Sequence, residues 1–218
     1  TLPEYRTELA GTEEQLDKSR GLRNELRTDL RNCQSQAGFD FVTQLALDFM
    51  NNLAKPYPPE DGNFHPATRV NAVLMIGELG ANPPASFNDV PPPLPKALDV
   101  LLTHLKHPEQ IDAVRAAALV GISRHADLGG ISTPRSRQEV VQTMVALINS
   151  QRPADRSAEG HDWMRSQAAE ILGKLGIAAA GAPDALAAPH FLDQGMLMAP
   201  DSKPRPKHRI SVSLIDTV

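Results

Sequence analysis

Along most of this chain apolar residues recur three and four positions apart, the spacing that gathers them on one face of an α-helix. From residue 39 onward such segments alternate with loops rich in Pro, Gly, Asn and Asp. Val42, Leu45, Ala46, Phe49 and Leu53 outline one apolar face, Leu94, Leu98, Leu101, Leu102 and Leu105 a second, and Val141, Met144, Val145 and Ile148 a third. We term these the A helices. After each comes a loop and then a second helical stretch, RVNAVLMIGELG from Arg69, RAAALVGISRHA from Arg115 and RSQAAEILGKLG from Arg165, the B helices. Upstream, TEEQLDKSRGLRNELRTDLRNC over residues 12–33 places Leu22, Leu26 and Leu30 beside a stripe of Arg23, Arg27 and Arg31. Thr12 and the acids after it suit a helix start, and Gly21 weakens the middle. The pattern predicts an amphipathic packing or capping helix.

The B segments align on their arginines, which stand 46 and 50 residues apart, an interval suited to repeated helix pairs. Three residues after each Arg comes Ala72, Ala118 or Ala168, small enough to let helices approach closely. Seven after it stands bulky Ile76, Ile122 or Leu172, and eight after it Gly77, Ser123 or Gly173. Small beside large lets successive repeats interdigitate. Positions two and nine point away from these columns and predict an exposed face of Asn71, Ala117 and Gln167 with Glu78, Arg124 and Lys174.

These columns resemble the HEAT-repeat family, whose second helix carries an acid ahead of an Arg, then an Ala, then a Leu-Gly-any-Leu-Gly ending. Arg165 to Gly176 fits well, and Asp162 with Arg165 and Asp112 with Arg115 match the acid–base pair. The first repeat has Pro66 where the acid would stand. The resemblance implies an all-α fold, an α-solenoid of about three helix pairs, in which those pairs form a charged ladder between successive repeats. The expected organisation is an N-terminal amphipathic helix over 1–38, a repeat domain over 39–176, and an irregular cap and tail over 177–218. In the last region Pro183 and Pro189 interrupt any helix, while Ile210, Val212 and Leu214 alternate as in a strand. The Pro-rich loops AKPYPPEDGNFHP, GANPPASFNDVPPPLP and SQRPADRSAEG are expected to be extended, stiff connectors with sharp helix boundaries.

Composition supports helices and narrows the chemistry. Of 218 residues 41% are hydrophobic but only 4% aromatic, and the formal net charge is −4, which suits a packed core and argues against nucleic acid as partner. A single cysteine, Cys33, rules out an intrachain disulfide and a multi-cysteine zinc site. No apolar run reaches the roughly 18 residues that suggest a membrane helix. The absence of an initiator Met, the Pro-rich loops and the scarcity of cysteine point to a bacterial cell envelope or secreted location, without excluding the cytoplasm.

Chemistry-bearing motifs are sparse. His104 and His107 could present two imidazoles on one helix face to a metal, with Asp99 or Glu109 as third ligand. Histidines near a helix C-terminus also suit its exposed carbonyls, so solvated histidines and no metal are expected. The His-Glu dipeptides of the iron-dependent HEAT-like hydroxylases are absent. There is no Gly-rich phosphate loop, no ordered Ser-His-Asp set and no cue for activation of Cys33. No cofactor or catalytic residue is expected. The resulting expectation is a non-catalytic protein–protein interaction scaffold that binds another protein, with Asn71, Glu78, Arg124, Gln167 and Lys174 on its concave face. Two alternatives stand beside it: a HEAT-like enzyme or enzyme subunit, of chromophore-lyase or DNA-repair type, and a structural brace within a larger protein.

Overall fold

The computed structural model describes residues 24–33, 35–56, 64–84, 86, 89–154 and 156–177. The expected start at Thr12, the weakening at Gly21, the cap and tail beyond residue 177 and most of the first Pro-rich loop lie outside them. Among the described residues the chain forms seven helices and no strand. They are α1 (24–31), α2 (Gln36–Ala54), α3 (Pro66–Glu78), α4 (Pro95–Lys106), α5 (Asp112–Asp127), α6 (Pro134–Ile148) and α7 (Ala158–Lys174). No described helix is long and apolar enough to cross a membrane.

Helix starts follow local chemistry. Ser35 Oγ accepts the Gly38 N–H at 3.1 Å to open α2, and Ser157 Oγ accepts the Gly160 N–H at 3.2 Å to open α7. Thr133 and Ser136 cap each other's backbone at the start of α6, with Pro134 at a position that needs no N–H. Two ends are set by glycines at positive φ: Gly129 at 72° and Gly176 at 66°. The next residue then turns back, Gly130 N–H to His125 O at 2.8 Å and Ile177 N–H to Leu172 O at 3.1 Å, and at the second end Gly176 N–H also reaches Gly173 O at 2.9 Å, completing a double-bonded Schellman closure. Gly176, the last residue of the Leu-Gly-any-Leu-Gly run, is thus a helix terminator.

Each A helix packs against its own B helix, α2 on α3, α4 on α5 and α6 on α7. The B helices also pack in succession, α3 on α5 and α5 on α7, whereas neighbouring A helices barely touch. Ala72, Ala118 and Ala168 are fully buried, and Ile76, Ile122 and Leu172 lie in the core beside them. At the α3–α5 crossing a Cβ on Gly77 would fall 2.8 Å from Gly121 Cα, so the two backbones approach with no side chain between them. Gly173, in the same column as Gly77, is exposed and has open space where its Cβ would be.

Two expectations need correction. On α2 the buried face is Phe39, Thr43, Ala46, Leu47, Met50 and Leu53, while Leu45 is 40% exposed and Phe41 69%. This segment carries two apolar stripes, and spacing alone could not choose between them. The loop after α3 is no extended spacer: Ala81 N–H reaches Pro92 O at 2.8 Å and Leu94 N–H reaches Leu79 O at 2.9 Å, drawing its two ends together.

Candidate functional site: a basic groove between helices α4 and α6

The scant contact between α4 and α6 leaves an open groove of about 670 Å³. Arg135, Gln138 and Gln142, spaced to share one face of α6, form one wall. Lys106 at the end of α4 and Arg115 at the start of α5 stand opposite, with Leu105 and Leu147 at the apolar base. Lys106 Nζ meets Glu139 across the gap at 2.7 Å. Arg115 Nε donates to Leu105 O at 3.0 Å, closing an otherwise unpaired carbonyl in the last turn of α4, and Nη1 lies 3.4 Å from Asp112 Oδ1. Arg156 Nη1 binds that same oxygen at 2.7 Å. Burial pulls the Arg115 pKa down first and its neighbour Arg156 pulls it further, against the opposing pull of Asp112. A second concavity of about 390 Å³ lies between α1, the end of α3 and the following loop, with the ion pair Arg27–Glu78 at 2.7 Å among its lining groups. Among the described residues no histidine or cysteine lines either hollow.

The predicted ladder residues sit elsewhere than expected. Asp112–Arg115 and Asp162–Arg165, the latter at 3.6 Å, are pairs within one helix, not bridges between repeats. Their arginines join B to A: Arg165 Nε donates to Ile148 O at 2.8 Å as Arg115 does to Leu105 O. Arg156 makes the bridge between repeats, reaching Asp112 and, at 3.1 Å, Pro108 O. Repeat one, which lacks the acid, is built differently. Gln110 from the next repeat donates to Ala54 O at 3.0 Å, and its side-chain oxygen accepts from the buried Arg69.

Gln110 also organises His104. Its Nε2 donates to His104 Nδ1 at 2.9 Å, which leaves His104 Nε2 to carry the proton and donate to Asn51 Oδ1 at 3.0 Å. Burial first, then the charges of His107, Arg69 and Lys55, lower the His104 pKa to about 4. Both its nitrogens are therefore engaged in a neutral network, not solvated as the sequence suggested. Among the described residues no group of three His, Cys, Asp or Glu side chains could hold a metal ion. His125, fully buried at the end of α5, has no hydrogen-bond partner for either ring nitrogen among the described residues, and burial followed by Arg124 lowers its pKa to about 4.

The predicted exposed face does not assemble. Asn71 is 4% exposed and folds back to donate to Ala67 O at 2.9 Å, and Ala117 is buried. Arg124 ties α5 to the end of α3 through Gly77 O at 3.0 Å and to the loop through Pro91 O at 3.2 Å. Lys174 joins α7 to α5, contacting Ser123 Oγ at 2.7 Å and Asp127 Oδ2 at 2.8 Å. Burial disfavours its charge, but bonds to Asp127 and Glu170 outweigh that and raise its pKa. Gln167 is half-buried and bonds Glu170. Since successive B helices pack on one another, Arg124 and Lys174 at position nine lie along their seam, whereas Glu78 pairs with Arg27 of α1. Long polar side chains there reach the neighbouring helix, a role that a solvent-facing phase does not anticipate. Arg135, Gln138 and Gln142 form a polar helix face that spacing alone does not distinguish from a solvated one. No protein-family model, curated protein or solved structure matches this chain.

Proposed function

We propose that this chain is a non-catalytic protein-interaction scaffold: about three HEAT-like helix pairs arrayed as a short α-solenoid, with the partner seated on the A-helix side. The observation that carries this reading is the asymmetry of packing. B helices are joined in succession while neighbouring A helices stay apart, leaving their outer faces and the α4–α6 groove accessible. Quasi-linear arrays of helix pairs use surfaces of this kind to hold other proteins. The B-helix residues Asn71, Arg124 and Lys174 do not supply the binding face, because their side chains are occupied within the protein. The enzyme alternative gains a concavity of suitable size but neither a nucleophile paired with a base nor a histidine in it.

The test is photo-crosslinking in the native source from benzoylphenylalanine placed singly at Phe41, Asp99 and Gln142, one site on each A helix. A discrete adduct with another protein from at least one site is expected. Adducts only within the same polypeptide would favour a structural brace, and no discrete adduct from any site would overturn the scaffold reading.

A further inference from the structure

The charges around the α4–α6 groove do not balance. Lys106, Arg115 and Arg135 line it together with one carboxylate, Glu139, already held by Lys106. Beside the groove a single carboxylate, Asp112, serves both Arg115 and Arg156 through one oxygen. Four cations thus face two anions, in a chain whose overall charge is negative. Arg135 is exposed and makes no hydrogen bond or ion pair among the described residues, and Arg115 uses Nε and Nη1 but leaves Nη2 without a partner among them. A guanidinium offers a fork of donors matched to a carboxylate, and two such forks face a hollow floored by Leu105 and Leu147. Gln138 and Gln142 along the same wall can both donate to and accept from a peptide backbone. Among the described residues no aromatic side chain lines the groove for a base to stack on, which disfavours nucleic acid.

We infer that the groove binds an acidic, extended segment of a partner protein, with Glu or Asp side chains seated against Arg135 and Arg115 and the segment's backbone along Gln138 and Gln142. This rests on the scaffold reading and specifies its partner. Binding of this kind gains from charge in rate and specificity and weakens as salt rises.

The experiment is fluorescence anisotropy of the whole chain with a labelled peptide of alternating Glu and Ala, at low and at physiological salt. Parallel arms use an alternating Lys–Ala peptide and a labelled oligothymidylate. The expected result is saturable binding of the acidic peptide, at least tenfold tighter than the Lys–Ala peptide and weaker at higher salt. Arg135→Glu should weaken it at least fivefold, while Lys96→Glu, the same charge change at the opposite end of α4, should alter it less than twofold. Circular dichroism of each variant confirms that it is folded. Tighter binding of the oligonucleotide, equal binding of both peptides, equal loss in both variants, or no binding of the acidic peptide would each overturn the proposal. If the acidic peptide fails while Gln142 still crosslinks a partner, the scaffold survives and only its acidic specificity is lost. If crosslinks fail as well, both fall.

Discussion

The junction between the first and second helix pairs and that between the second and third are built from different materials. At the first, Gly77 and Gly121 bring α3 and α5 into backbone contact, and buried Arg69, Gln110 and His104 form a continuous polar network that ends at partly buried Asn51. At the second, α5 and α7 are joined at their edge by Lys174 with Ser123 and Asp127, and Arg156 reaches back to Asp112. The ion pairs there are partly exposed, and pairs of that kind contribute only about 0–1 kcal/mol and weaken with salt. Close packing buries the seam between α3 and α5, and the looser second junction supplies the α4–α6 groove. The same helix-pair plan thus yields a rigid core and an accessible flank.

The largest expected effect tests the network of the first junction. Gln110→Leu removes the partner of Arg69, of His104 Nδ1 and of Ala54 O at once, and stranded buried polar groups cost about 1–3 kcal/mol each, so urea unfolding should lose about 3 kcal/mol. A loss under about 1 kcal/mol would mean that the network adds little to folding. Next comes the glycine contact. Gly77→Leu forces side-chain atoms into the Gly121 backbone and should cost about 2–3 kcal/mol, whereas Gly173→Ala, in the same repeat column but in open space, should gain about 0.5 kcal/mol from helix propensity. Equal effects at the two sites would erase the contrast between the junctions.

Ala168→Leu carries the test to the third repeat, where the fully buried alanine leaves no space and about 2 kcal/mol should be lost. Gln167→Leu beside it, only half-buried, should move stability by no more than about 0.5 kcal/mol. Reversal of that order in thermal melts would mean that the helix phase is wrong.

A further effect concerns pH. His104 and His125 have folded-state pKa values near 4 against 6.5 for the free group, so between those limits the unfolded chain binds more protons. Their neutral forms support full stability above pH 6.5, and stability falls as pH drops toward 4, by about 1–2 kcal/mol per histidine at pH 5. His125→Leu removes a ring with no hydrogen-bond partner and should flatten part of that slope without loss at pH 7. His104→Leu, which strands Asn51 and Gln110, should cost stability at pH 7. The check is denaturation of both variants and the parent chain at pH 7 and pH 5; an unchanged slope in His125→Leu would contradict the assignment.

The periodicity of the B segments made their helices, the buried alanine column and the terminating Gly176 legible, because each depends on local spacing and size. The phase of α2 was not legible, since Phe41, Val42 and Leu45 compete with Phe39, Leu47 and Met50 for the same helix. Nor was the buried network, because Gln110 is a lone polar residue whose partners Ala54 and Arg69 lie far away in sequence. The aspartate–arginine spacing was seen correctly, but spacing cannot say whether a pair spans two repeats or stays within one turn. The groove was not legible either, because it arises from how far apart two helices stand, which no single segment encodes.

Hydrogen exchange followed by mass spectrometry, at 0.1 M and at 1 M NaCl in about neutral buffer, addresses the contrast between the junctions most directly, since it reads local opening along the chain. The expected result is stronger protection of α3 and α5 than of α6 and α7 at low salt, with the gap widening at high salt as the contacts of Lys174 and Arg156 weaken. Equal protection of all four helices, unmoved by salt, would mean that both junctions belong to one indivisible core and would contradict the account.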